Sequence, residues 1–259
     1  SLNVTTDGAG AAGEIRLSAN SSLKFGAIIN AINTTDNDAT TVSIVTSSGT
    51  ITIPLALDLD LDNVTLSSAT GMTFSNTVAL GSLNATVTGT GVMTISNTIT
   101  TADSTTSGSP SGSVIMTTND GNIAVNAAIT TGNATVDGAA AGAQSARSGN
   151  ITLTAGGSGN ISGTATPAWV IGTATITNVN GSDTAQSGNM ILSGNEISRD
   201  GTLALGVTIG AASGATNTQG RLVVTTDGAG AAGEIRITTA QDLPLGALDT
   251  ADVDTTTVD

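Results

Sequence analysis

The sequence predicts an all-β solenoid, a stack of short parallel strands joined by tight corners, and three observations predict it. Strand formers crowd a chain nearly devoid of aromatics, a short Gly-led motif recurs along it, and helical periodicity is missing. Of 259 residues, 38% are hydrophobic but only 1% aromatic, so a core has to be built from Ala, Val, Ile and Leu around Phe25, Phe74 and Trp169. That aliphatic content is too high for a disordered chain. Abundant Thr and other β-branched residues favour strands.

The motif reads Gly, variable, aliphatic, variable, aliphatic. It begins at Gly13 (GEIRL), Gly49 (GTITI), Gly91 (GVMTI), Gly112 (GSVIM), Gly121 (GNIAV), Gly149 (GNITL), Gly188 (GNMIL), Gly201 (GTLAL), Gly220 (GRLVV) and Gly233 (GEIRI), with weaker forms at Gly81, Gly132 and Gly172. Such alternation buries Ile15 with Leu17, or Ile151 with Leu153, and turns Glu14 with Arg16, or Asn150 with Thr152, outward. The leading Gly is expected to supply the positive φ of a tight corner. No window sustains apolar residues at three- and four-residue spacing, and Gly is too frequent for helices to persist. SGSVIM, SGNITL and SGNMIL start 37 and 39 residues apart. Read as two turns of roughly 19 residues each, this spacing gives a 220-residue stretch a rise on the order of 50 Å.

A longer repeat encloses the short one. VTTDGAGAAGEIR at 4–16 recurs unchanged at 224–236, and AINTTDNDATTV (31–42) matches ALDTADVDTTTV (247–258) loosely after a four-residue shift. Residues 1–220 therefore read as one unit and 221–259 as the start of the next, in an array expected to continue past both ends.

GNITLTAGGSGNISG (149–163), DGNIAVNAAITTGNATV (120–136) and SGNMILSGN (187–195) resemble the repeats of filamentous-haemagglutinin-like secreted adhesins and related giant bacterial surface proteins. The resemblance covers most of the chain from about residue 80 onward. It implies a right-handed parallel β-helix, secretion, and a role in attachment or filament building.

Composition removes several function classes. Without His, Cys or Tyr there are no Cys or His metal sites, no thiol nucleophile and no Ser-His-Asp triad. Twenty acidic residues against six basic ones give a net charge of -14, which repels nucleic acid and anionic membrane. No stretch is long enough to span a membrane.

The acidic clusters are the candidate sites. Alternation in DLDLD places Asp58, Asp60 and Asp62 on one face of a strand, about 7 Å apart, where either solvent screens them or Ca²⁺ bridges them. Asp7 with Glu14, and their repeats Asp227 with Glu234, bracket a Gly-rich turn and are weighed as further Ca²⁺ ligands. GAGAAG at 8–13 and 228–233 has the form of a dinucleotide-binding loop. The next residues, EIRL or EIRI, read as a strand rather than a helix, which favours a structural corner. Asparagines in the many Asn-x-Ser/Thr triplets are expected to form ladders between turns. Trp169 is expected to fill apolar space at a loop or corner, the alternative being a residue that stacks on carbohydrate or contacts a partner.

These readings converge on a non-enzymatic structural repeat module of an extracellular, cell-surface filament, stalk or adhesin. Its expected partners are further copies of itself, joined end to end or laterally, and host or cell-surface glycans. The alternatives are a carbohydrate-binding or carbohydrate-cleaving β-helix protein, whose acid pair would come from the Asp residues, and an ice-binding protein, which would need more regular TxT ladders.

Overall fold

The computed structural model of the chain describes residues 4–5, 14–24, 32–33, 41–54, 57–59, 62–163, 169–195, 197, 205–209, 212–218, 220–226, 234–235, 237–238, 245–249 and 257–258. Among them there is no helix, and every paired strand is parallel to its neighbour. A nine-stranded sheet runs from Glu14–Ala19 to Leu245–Asp249, a six-stranded sheet from Leu23–Lys24 to Ile161–Gly163, and a seven-stranded sheet from Leu57–Asp58 to Ile237–Thr238.

The chain visits these three sheets in turn. After Asn63–Ser68 in the nine-stranded sheet come Gly71–Phe74 in the six-stranded and Val78–Leu80 in the seven-stranded, and the chain returns to the first at Ser82–Val87. Register stacks like on like. Val42, Val64, Leu83, Val114, Ile151, Met190 and Leu222 form one inward column, each at most 2% exposed. Trp169 is 2% exposed and lies in the strand Trp169–Ile171, between Ile129 and Val207, so it is a core residue of a sheet rather than a corner filler.

Circuit length departs from the two-turn reading. Val114 pairs directly with Ile151, and Ile151 with Met190, so 37 and 39 residues are one circuit each. The additional residues leave the seven-stranded sheet to form a lobe before returning. Ala134–Asp137, Ala174–Thr177 and Ala212–Ser213 make one three-stranded sheet of the lobe, and Ser145–Arg147, Thr184–Gln186 and Thr216–Thr218 make another. Between them lies a separate core of Ala134, Val136, Ala146, Ala174, Ile176 and Ala185. Seven strand spacings separate Ile15 from Leu222, a rise of about 34 Å in place of 50 Å.

The described motif glycines do not supply a positive φ and are required for a different reason. Among the described glycines only Gly71, Gly108, Gly142 and Gly157 have positive φ, and none of these leads a Gly-aliphatic motif. A Cβ on Gly149 would instead fall on the carbonyl oxygen of Gly112, one on Gly188 on that of Gly149, and one on Gly220 on that of Gly188. Successive backbones touch at this corner, and only hydrogen fits between them.

The residues flanking those glycines join the circuits. Ser111 Oγ accepts the Gly149 N–H at 2.8 Å, Ser148 Oγ that of Gly188 at 2.8 Å, and Ser187 Oγ that of Gly220 at 2.7 Å. On the other side, Ser113 Oγ accepts the Asn150 N–H at 3.0 Å, Asn150 Oδ1 that of Asn189 at 2.7 Å, and Asn189 Oδ1 that of Arg221 at 2.9 Å. The ladder thus runs from side chain to backbone. Ser148→Ala leaves the buried Gly188 N–H without its acceptor and is expected to cost about 1–3 kcal/mol in urea denaturation.

Candidate functional site

The acidic run at 58–62 does not continue as one strand. Asp58 ends Leu57–Asp58, opposite Ala79. The Asp62 N–H then donates to the Leu59 carbonyl at 2.9 Å, closing a turn before Asn63–Ser68 begins. Asp62 itself is 1% exposed, whereas Asp60 lies outside the described residues. Asp58 and Asp62 therefore flank a turn and do not share one extended strand face. Glu14 opens Glu14–Ala19 opposite Thr41, and Glu234 opens Glu234–Ile235 opposite Thr257. Asp7, Asp227 and both GAGAAG segments lie outside the described residues. Among the described residues no group of three or more carboxylates is placed to hold a metal ion.

Other carboxylates act as ties between circuits. Asp183 is fully buried, with Oδ1 accepting the Gln144 N–H and Oδ2 the Asn180 N–H, each at 2.8 Å. Asp120 Oδ1 accepts the Ser158 N–H at 3.2 Å and its hydroxyl at 3.3 Å. Asp137, at the lobe surface, accepts the Ala139 N–H at 2.9 Å and the Asn178 side-chain amide at 3.0 Å. These two bonds, the backbone one foremost, hold its carboxyl below the usual carboxylate range. A depressed carboxyl supports the fold above the ordinary Asp range and ceases to do so as pH falls through the lowered value, so this tie opens only in acid.

One concavity stands apart from these corners. A cleft of about 400 Å³ opens beside the loop at 102–112, lined by Asn63, Ser82, Asp103, Thr106, Ser109 and Pro110 among others. It exists because neighbouring circuits differ in length. From Val64 to Leu83 the chain takes 19 residues, whereas from Leu83 to Val114 it takes 31 and swings out through the loop. Sequence reasoning missed the cleft. Its one visible signal was the longer interval from Gly81 to Gly112, which marks where the lobe begins.

No helix among the described residues is long and apolar enough to cross a membrane. Comparison with protein-family models, curated proteins and solved structures finds no match in any of the three.

Proposed function

We propose that the chain is a right-handed parallel β-helix serving as a structural repeat module of a secreted, cell-surface filament, stalk or adhesin. Its handedness follows the general rule that crossovers between parallel strands of one sheet are right-handed. The observation that carries the reading is the repeated register. Val4 pairs with Ile32 and Glu14 with Thr41; in the second copy Val224 pairs with Leu248 and Glu234 with Thr257, although that copy is four residues shorter between the paired segments. Leu222–Thr226 also pairs with Met190–Gly194 before it and Leu245–Asp249 after it, so one sheet continues across residue 220. Stacked units of this kind add stability neighbour by neighbour and need no catalytic group.

Electron microscopy of two tandem copies of residues 1–220, beside one copy, tests the reading. Each added unit is expected to lengthen a continuous rod by about 34 Å; two separate beads would contradict it. Fraying of the rods in chelator is the result expected if Ca²⁺ bridges the acidic clusters, and rods unchanged in chelator would remove the metal from the account.

A further inference from the structure

We infer that the cleft beside the loop at 102–112 is a binding site for a neutral saccharide. Corner side chains elsewhere in the stack are engaged by the next circuit, as Asn150 and Asn189 are. In the cleft this engagement is only partial. The Asn63 side-chain amide and the Thr106 and Ser109 hydroxyls make no hydrogen bond among the described residues, and Asp103 uses only Oδ1, which accepts the Asn133 N–H at 2.7 Å. Asn63 sits directly below Ser82 in register. Ser82 Oγ accepts the Ser113 N–H at 3.2 Å and so begins the ladder, but the Ser82 N–H is held by the Asp62 carbonyl, which leaves the Asn63 amide facing the cleft.

The chemistry of the lining selects the ligand. Asp103 and the net charge of -14 disfavour anions. One carboxylate is too few for a hard cation, which takes six or more oxygen ligands. The lining is mixed, apolar at Ala102, Pro110 and the glycines and polar elsewhere, so a wholly hydrophobic ligand would cover the amide, hydroxyls and carboxylate without pairing them. What remains is an uncharged molecule that both donates and accepts hydrogen bonds, matched by an amide, two hydroxyls and a carboxylate oxygen. The volume of about 400 Å³ falls in the range of small-molecule sites. A single chain contains the whole site, so this inference stands whether or not the units build fibres.

Calorimetric titration of the intact chain with cellotetraose, mannotetraose and N-acetylchitotetraose, and with tetragalacturonate as the charged counterpart, tests it. At least one neutral oligosaccharide is expected to bind saturably. The double variant Thr106→Val with Ser109→Ala is expected to weaken that binding about tenfold or more, while thermal unfolding stays unchanged because neither hydroxyl holds the fold. Absence of binding by all three neutral sugars, equal binding of tetragalacturonate, or undiminished binding by the folded double variant would each overturn the inference.

Discussion

Replacing Gly149 by Val is expected to lower the unfolding temperature by roughly 6–12 °C. The added Cβ falls on the carbonyl oxygen of Gly112, a backbone atom that cannot swing aside as a side chain would. Relief requires the two circuits to separate, and that pulls on the Ser111 Oγ bond to the Gly149 N–H and on the Gly188 backbone stacked above. Overpacking of a rigid site costs about 3 kcal/mol, and in a chain of this size each kcal/mol moves the midpoint by about 2–4 °C. Gly181→Ala is the matched control, since nothing lies within 4 Å of its Cβ position, and its midpoint is expected to stay within about 2 °C of the parent. Equal effects of the two substitutions would show that the corner stacking is not what requires Gly149.

Trp169→Ala is expected to cost about 3–5 kcal/mol, in the range of large-to-small changes that leave a cavity. The indole is 2% exposed and stacks in register between Ile129 and Val207. A Cβ at Gly163 would lie 3.9 Å from its ring, so the six-stranded sheet crowds it as well. Among the described residues the one other ring, Phe74, lies three strand spacings from Gly163, too far to relax into the space. Denaturation in urea followed by far-ultraviolet circular dichroism measures the cost, because the variant loses the only indole. A cost below about 1 kcal/mol would mean that the ring does not fill the core.

Strands were legible in the sequence because one rule governs each of the main sheets: alternate aliphatic residues point inward. GTITI, GVMTI, GNIAV and GNITL all carry strands just after their glycines. The number of strands per circuit was not legible, because the motif marks where a strand starts and not how many come before the chain returns. Lobe strands bury Ala134, Ala146, Ala174 and Ala185, side chains too small to announce a core. The same rule leaves the sheet unspecified. Glu14–Ala19 lies in the nine-stranded sheet, whereas the identical GEIR of the second copy begins a strand outside it, Glu234–Ile235, and Leu222–Thr226 takes the nine-stranded place. Alternation sets register against a neighbour, and every sheet accepts the same alternation.

The candidate site was hardly legible at all. DLDLD has the pattern of a strand, but Leu59 is 2% exposed and accepts the Asp62 N–H, so local pattern gave way to a turn. The cleft joins Asn63 to Thr106, residues far apart in sequence and adjacent only because a short circuit lies under a long one.

The distance between Ser43 and Ile191 tests the stack most directly. Both lie in one outward column of the nine-stranded sheet, five strand spacings apart. The chain has no Cys, so Ser43→Cys with Ile191→Cys can be spin-labelled without background, and pulsed electron resonance reads the separation. The observed register, five spacings, predicts about 24 Å between the two backbone sites. A distance near 37 Å, as turns of about 19 residues would give, would contradict the account.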